Sequence, residues 1–203
     1  FELADGRLAL LVTEAQAHGV AAALATAALT GAFAAATAGS AQVSLDEVLR
    51  TMRASSEGVL RGGEPVAAFL AIVDAQKQTI DWACAGHPGA LVIGPIEVID
   101  SGPPTGSTGP LTTVRPKVKA LTGGPRIRGA SLHAARRGQD AYPADSIIVV
   151  ASTALRGDDD AAWEQQLVDL APVSGRLATV LVDKALAAGD PAEDLLAVVV
   201  RSR

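Results

Sequence analysis

Hydrophobic and polar positions change their period several times along the chain, and the first strand-like stretches are clear. Leu8 to Thr13 predicts a short strand. The apolar segments Val66 to Val73 and Thr79 to Ala85 enclose a short polar turn, which predicts a β-hairpin. These three segments are expected to contribute to one sheet.

Further strands are predicted in the second half of the pattern. Leu91 to Ile93 and Ile96 to Ile99 continue the meander on either side of a Gly-Pro pair, which is typical of a break between strands. Ile147 to Ala151 is a continuous apolar run that indicates a central strand, and Leu195 to Val200 predicts a last buried strand.

An alanine-rich segment, Val20 to Ala38, is apolar nearly all round and predicts a helix packed on more than one side. Its length would also permit a membrane span. However, alanine favours hydrocarbon only weakly, threonine and glycine interrupt the stretch, and no cluster of Lys or Arg flanks it. A buried helix is therefore the preferred interpretation.

Three more helices are indicated by their start signals. Ser44 and Glu47 have the spacing of a capping box. Three aspartates from Asp158 favour the start of a helix that runs to about Leu170, and Ser174 is the predicted cap of another. Helices grouped on either side of hairpin-linked strands indicate an α+β fold with antiparallel sheets rather than parallel βαβ winding.

Composition narrows the function classes. The 203 residues are 49% hydrophobic, which suits a single domain over 1–203, and the closeness of Phe1 to the first strand suggests that an N-terminal edge of this domain is missing. A net charge of −5 and 3% aromatic residues argue against a nucleic-acid partner. The lone Cys84 excludes an internal disulfide and a multi-thiolate zinc site, so a reducing, cytoplasmic location is expected. Because the alanine-rich segment is interpreted as a buried helix, no membrane partner is expected.

Positive charge is concentrated in one segment. Residues 101–139 contain no Asp or Glu but hold seven of the 17 Lys and Arg residues. One interpretation is a solvated loop insertion over 115–139. The alternative is a docking surface for an acidic partner, with the candidate residues Arg126, Arg128, Arg136 and Arg137.

Five ordered segments resemble one family. Leu8 to Leu24 resembles the "LALVIGDVSGHGVPAAL" segment of bacterial PPM-type (protein phosphatase 2C-like) serine/threonine phosphatases of the stage II sporulation protein E and sigma-factor partner-switching group. Ala85 to Pro88 is similar to their "AGHPP" turn, and Gly102 to Gly106 to their "GLPLG" loop. Pro143 to Val150 resembles "PGDRLLLYTDG", and Ala192 to Val200 resembles the closing "DDITLLVV".

This resemblance implies an α-β-β-α sandwich of two antiparallel sheets flanked by helices. It also implies a chemistry in which two Mn²⁺ or Mg²⁺ ions, held by aspartates, activate a water for attack on a phosphoserine phosphorus. The substrates that the family suggests are phosphorylated anti-anti-sigma factors and related phosphoproteins.

The metal positions of this family are altered here. Glu14 stands at one aspartate position, Ser152 at another, and Glu193 replaces the first of a terminal pair of which Asp194 is retained. A further family aspartate would lie upstream of Phe1. Each change to Glu moves a carboxylate by about 1.5 Å, and Ser152 removes a negative charge that a hard divalent ion prefers.

The expectation from these substitutions is a retained fold without catalytic residues, a pseudophosphatase that binds a protein partner such as a phosphorylated anti-anti-sigma-like regulator. The alternative is a divergent metal-dependent phosphatase with residual activity, whose degenerate metal site would use Glu14, Glu193 and Asp194. The cofactor would be Mn²⁺ or Mg²⁺ in the second case, and none in the first. A third possibility is a structural or dimerisation module.

Overall fold

A computed structural model describes residues 1–15, 19–38, 42–56, 66–100, 112–122, 132, 135–157, 159–170, 175–189 and 195–201. The elements within these ranges follow one another as β1 Leu8–Ala15, α1 Val20–Thr37, α2 Leu45–Ser56, β2 Val66–Asp74, β3 Thr79–Ala85, β4 Ala90–Asp100, β5 Thr112–Leu121, β6 Arg136–Ala141, β7 Ile147–Ala151, α3 Thr153–Arg156, α4 Asp160–Leu170, α5 Leu177–Ala188 and β8 Ala197–Arg201.

The described strands form two four-stranded sheets. Sheet A has the order β1-β2-β3-β6, and sheet B has the order β5-β4-β7-β8. Every neighbouring pair is antiparallel, as the hairpin pattern predicted. The α+β class with antiparallel sheets is thereby confirmed.

Three apolar clusters show how the layers stack. Side chains such as Phe69 of sheet A and Ile148 of sheet B fill the space between the sheets. On the outer side of sheet A, α1 and α2 bury residues such as Phe33, and on the outer side of sheet B, α4 and α5 bury residues such as Leu167. Burying each such large side chain stabilises the fold by about 1.5–3 kcal/mol. The order of layers is therefore helix, sheet, sheet, helix.

The apolar runs give the central strands. β3 and β7 have the predicted bounds, and the register of the β2–β3 hairpin sets Phe69 opposite Cys84. The two segments that were predicted on either side of the Gly-Pro pair form one strand, β4, with a register shift between Ile93 and Ile96. Proline lacks an N–H and interrupts the ladder locally, so the strand bends there without ending.

Burial of α1 differs from the prediction. The helix buries one face, which includes Ala25, Leu29 and Phe33, and it contacts α2 and β1. Val20 and Leu24 on the other face are 77% and 59% exposed, so the prediction of packing on more than one side is wrong. An alanine-rich face gains little from burial because each methyl group is small.

Among the described residues, α1 is the helix whose length and composition would allow it to cross a membrane, and 28% of it is buried. A core helix of a globular domain passes the same test, and α1 packs on sheet A through its buried face.

The predicted helix starts hold in part. The Ser44 hydroxyl accepts a hydrogen bond from the Glu47 N–H at 3.2 Å, which is the serine half of the capping box. In the acidic triplet, the Asp159 carboxylate accepts from the N–H groups of Ala161 and Ala162 and so caps α4. Ser174 lies outside the described residues.

The predicted loop over 115–139 is wrong at both ends, because strand β5 extends to residue 121 and strand β6 begins at residue 136. In β5, Val114, Pro116 and Val118 alternate with Arg115, Lys117 and Lys119. Such alternation is the period of a strand with one face towards solvent. The density of positive charge obscured this signal.

Candidate functional site

Glu14 lies near the end of β1, in the strand that forms one edge of sheet A. Its Cα is opposite that of Ala67 in β2, and the residue is half-buried. The predicted strand ended at Thr13, so the structure adds the glutamate to the strand itself. Its side chain therefore starts from a fixed backbone rather than from a loop.

Ser152 follows β7 and is the residue before the short helix α3. It is 4% exposed, and its extended backbone (φ −61°, ψ 158°) turns the chain into the helix. The Ser152 N–H donates to the carbonyl of Leu196 at 2.9 Å, and the Ser152 hydroxyl oxygen accepts from the Leu196 N–H at 3.1 Å. The hydroxyl is thus engaged with the segment that enters β8.

The structure brings Glu14 to the start of α3, next to Ser152. The Thr153 N–H lies 3.1 Å from one Glu14 carboxylate oxygen and 3.3 Å from the other, and the Thr153 hydroxyl donates to the second oxygen at 3.0 Å. An ionised carboxylate only accepts hydrogen bonds, so Thr153 is the donor in each case. We call this arrangement of Glu14 with Thr153 the cross-sheet contact.

The described side chains do not fit a centre for two divalent ions. Both oxygens of Glu14 accept hydrogen bonds from Thr153, and Ser152 accepts from a backbone N–H. Across the described part of the chain, no group of three or more His, Cys, Asp or Glu side chains could hold a metal ion. Mg²⁺ and Mn²⁺ need several oxygen ligands in a defined geometry. Glu193 and Asp194, the other candidate ligands, lie outside the described residues.

The turn between β3 and β4 is stabilised by glycine backbone conformations and by hydrogen bonds among its own residues. Gly86 and Gly89 have φ values of 69° and 91°, which favour glycine, and a Cβ at Gly89 would collide with the carbonyl oxygen of Leu121. His87 is 1% exposed, and its Nδ1 accepts the Gly89 N–H at 3.0 Å. The Cys84 thiol donates to the His87 carbonyl at 3.0 Å. These contacts support a structural role for the turn.

Arg156, which the sequence analysis did not single out, ties this turn to the helices. Its side chain is 6% exposed, and it donates to the carbonyl of Pro88 at 2.7 Å and to the Asp160 carboxylate at 2.9 Å. A buried guanidinium needs such partners because its desolvation is costly. An arginine at the end of a four-residue helix gives no local signal of burial, so periodicity could not find it.

Exposed positive side chains lie on the edge strand β5 of sheet B and the edge strand β6 of sheet A. They are Lys117 and Lys119 of β5 and Arg136 and Arg137 of β6, and we call these four residues the basic edge. An ion pair between Lys119 and Asp140 joins the two strands. Of the predicted docking residues, Arg136 and Arg137 belong to this edge, whereas Arg126 and Arg128 lie outside the described residues.

Trp82 of β3 packs against β6, the strand that carries Arg136 and Arg137 of the basic edge. The Trp82 indole N–H donates to the Asp140 carboxylate at 2.7 Å. A Cβ at Gly138 would lie 2.6 Å from the Trp82 ring, so only glycine leaves room for the ring against β6.

A second ion pair connects the basic edge to a helix. Arg137 of β6 forms it with Asp46 of α2.

Sequence comparison identifies a family. The model of "Stage II sporulation protein E (SpoIIE)" matches residues 4–124, which is more than half of the chain. No curated protein sequence matches the chain significantly.

Structural comparison gives several likenesses at low identity. The RsbU and RsbW domains of Rv1364c from Mycobacterium tuberculosis have a TM-score of 0.71 and 20% identity over 99% of this chain and 55% of that chain, so this chain spans about half its length. The SiaA-PP2C domain of Pseudomonas aeruginosa has a TM-score of 0.64 and 14% identity over 98% and 80%. The catalytic domain of the serine/threonine phosphatase PstP, in complex with 2 manganese ions, has 0.55 and 13% over 95% and 85%. These likenesses confirm the predicted phosphatase-type sandwich fold.

Proposed function

The chain belongs to the stage II sporulation protein E family and has the fold of its PP2C-like phosphatase domain, yet we propose that it acts by binding rather than by hydrolysis. The proposed ligand is a phosphoprotein or another regulatory protein of bacterial signalling. The proposed site of action is the cytoplasm, which is consistent with a chain whose single cysteine, Cys84, is buried.

The cross-sheet contact is the observation that supports a loss of hydrolysis. Two-metal hydrolysis of a phosphate needs carboxylates that face the ions and stabilise both the attacking and the leaving oxygen. Glu14 instead accepts hydrogen bonds from Thr153 on both oxygens, and Ser152 offers a neutral hydroxyl that Leu196 engages. Glu193 and Asp194 remain candidate ligands from the sequence.

The basic edge supports a partner that carries negative charge. Guanidinium groups such as those of Arg136 and Arg137 bind phosphate and carboxylate groups in paired geometry. A phosphorylated anti-anti-sigma-like regulator has both groups. The related structure of Rv1364c joins RsbU and RsbW domains, which supports a regulatory protein as the partner class. Arg126 and Arg128, which lie outside the described residues, are kept from the sequence as proposed partner-binding residues.

An activity assay tests the first half of the proposal. With millimolar Mn²⁺ or Mg²⁺, the purified chain should hydrolyse p-nitrophenyl phosphate and a phosphoserine peptide no faster than its Glu14→Ala variant. An active PP2C phosphatase under the same conditions is the positive control. Turnover comparable with that control, and lost in Glu14→Ala, would instead support the divergent metal-dependent phosphatase.

A binding assay tests the second half. The probe is an anti-anti-sigma-type regulator from the source genome, prepared in phosphorylated and unphosphorylated forms. The double variant Arg136→Glu/Arg137→Glu should weaken binding of the phosphorylated form at least about tenfold, or ~1.4 kcal/mol.

The matched control for this assay changes two exposed arginines elsewhere. Arg176 and Arg201 lie together beside α5 and β8, at the other edge of sheet B. The variant Arg176→Glu/Arg201→Glu has the same change in net charge and should bind as the unaltered chain does. Equal weakening by both double variants, or by neither, would contradict docking at the basic edge.

A further inference from the structure

The cross-sheet contact joins elements that lie in different layers of the fold. Glu14 belongs to β1 of sheet A, whereas Thr153 opens α3 directly after β7 of sheet B. The two residues are 139 positions apart in the chain. Most of the packing between the sheets is apolar and therefore non-directional. A directional contact at this place fixes how the end of β1 sits against the start of α3.

The donors and acceptors of this contact are well matched. The first N–H of a helix has no acceptor within the helix, and in α3 that group is the Thr153 N–H. Glu14 accepts it and also accepts the Thr153 hydroxyl, at distances between 3.0 and 3.3 Å. Hydrogen bonds to an ionised group are roughly twice as strong as neutral ones.

The same geometry disfavours a cation at Glu14. A divalent ion bound by a carboxylate lies about 2.0–2.6 Å from its oxygen. At Glu14 the ion would meet the positive ends of the N–H and O–H groups that Thr153 directs at both oxygens. Ser152, beside it, adds no negative charge. A cation at Glu14 would therefore compete with the threonine donors for the lone pairs of the carboxylate.

We propose that Glu14 and Thr153 form a metal-independent tie between the two sheets, and that Thr153 is the residue that commits the Glu14 carboxylate to the protein. The tie holds the end of β1 to the start of α3 by hydrogen bonds in the absence of any ion. It shares with the proposed function the expectation that no ion binds at Glu14, and it depends neither on partner binding nor on the outcome of the hydrolysis assay.

A double-mutant cycle on thermal stability tests the tie. Glu14→Gln keeps the shape of the side chain but removes its charge, and Thr153→Val removes the hydroxyl at constant volume. Each variant should lower the melting temperature by about 3–12 °C in a chain of this size. The double variant should melt close to the less stable single variant, because both changes break one contact.

Thr153→Ser is the matched control, because it keeps both the N–H and a hydroxyl. Glu14→Gln should therefore lower the melting temperature as much in the Thr153→Ser background as in the unaltered chain, whereas it should have little further effect in the Thr153→Val background. Exchange of the Thr153 amide hydrogen, measured in Glu14→Gln at a temperature where the chain is folded, should be faster than in the unaltered chain. This measurement serves even if the double variant does not fold.

Divalent ions provide the second arm. Millimolar Mn²⁺ or a chelator should leave the melting temperature of the unaltered chain within about 1 °C, since a ligand stabilises only a state that binds it. Additive effects of the two substitutions would overturn the tie, and so would a saturable Mn²⁺-dependent rise that Glu14→Gln abolishes. The proposed function fails differently: hydrolysis would appear, or the basic-edge variants would bind normally, while the coupling between Glu14 and Thr153 persisted.

Discussion

The cross-sheet contact and the basic edge both gather polar side chains at strand ends or edges, but they use them differently. At the cross-sheet contact, Glu14 and Thr153 direct their polar atoms at each other. At the basic edge, Lys119 and Arg137 keep more than half of their side-chain surface exposed, at 55% and 54%. The first region is a structural joint, and the second is a surface.

This difference is the basis of the proposed function, in which a phosphatase-type fold binds a phosphoprotein without hydrolysing it. Catalysis needs charged groups that point into a shielded site, and those groups must stay available to metal and substrate. Electrostatic recognition needs exposed charges of one sign, which steer an oppositely charged partner. In this chain the carboxylate of Glu14 is engaged by Thr153, while Lys119 and Arg137, which form ion pairs with Asp140 and Asp46, still expose more than half of their side-chain surface.

The largest expected effect is at the buried Arg156, which ends the helix α3 that Thr153 of the cross-sheet contact begins. Arg156→Met removes a cation that is 6% exposed and leaves the Pro88 carbonyl without this donor. We expect a loss of about 3 kcal/mol in the free energy of unfolding, measured by urea denaturation. Arg176→Met, at an exposed arginine, should cost less than about 0.5 kcal/mol. Equal losses for the two variants would show that burial does not distinguish these arginines.

The next effect concerns the support of the basic edge. Gly138→Ala places a Cβ 2.6 Å from the Trp82 ring, which must shift away from Asp140. We expect a loss of about 1–3 kcal/mol, measured by urea denaturation. Gly31→Ala is the control, since its Cβ meets no atom within 4 Å, and it should stabilise α1 by about 0.5–1 kcal/mol. A neutral result for Gly138→Ala would mean that the charged surface does not depend on the ring.

A smaller effect is expected for the charges of the basic edge themselves. Lys119→Met breaks the ion pair with Asp140, which still accepts the Trp82 N–H. Because Lys119 is 55% exposed, the loss should be about 0.5 kcal/mol and should shrink further at high salt. A loss as large as that of Arg156→Met would erase the distinction between the joint and the surface.

The smallest effect lies outside both regions and gives a baseline for pH titrations. The pKa of Asp74 is held below its ordinary value, chiefly by the backbone N–H of Lys77, which donates to the carboxylate at 2.9 Å. A folded-state pKa below the unfolded one stabilises the protein above the unfolded pKa, and this stabilisation is lost as the pH falls through the folded value. The melting temperatures of the unaltered chain and Asp74→Asn should therefore converge below about pH 3.8. A constant difference between them at all pH values would contradict the assignment.

Some parts of the fold could be predicted because the signal was local. The apolar runs of β3 and β7 and the acidic start of α4 specify their elements within a few residues. The family motifs extended this to the order of layers. The strands β5 and β6 were missed because edge strands carry polar and charged side chains, so Lys117 and Arg136 were interpreted as loop residues.

The candidate site could be predicted only as a set of positions. Glu14 and Ser152 were singled out from the family motifs, and the structure brings their segments together. Thr153 was not singled out, because a threonine at the start of a helix carries no mark of the carboxylate that it binds. Arg156 was missed for the same reason, since its burial depends on the turn that contains Pro88.

The succession of strands and helices could be read from local pattern, because hydrophobic period and caps act over a few neighbouring residues. The contacts of the polar side chains depend instead on how distant elements pack. Glu14 meets a threonine 139 positions away because packing of the two sheets sets β1 against the start of α3. A carboxylate takes whichever donors the fold brings within about 3 Å, and no local pattern encodes that distance.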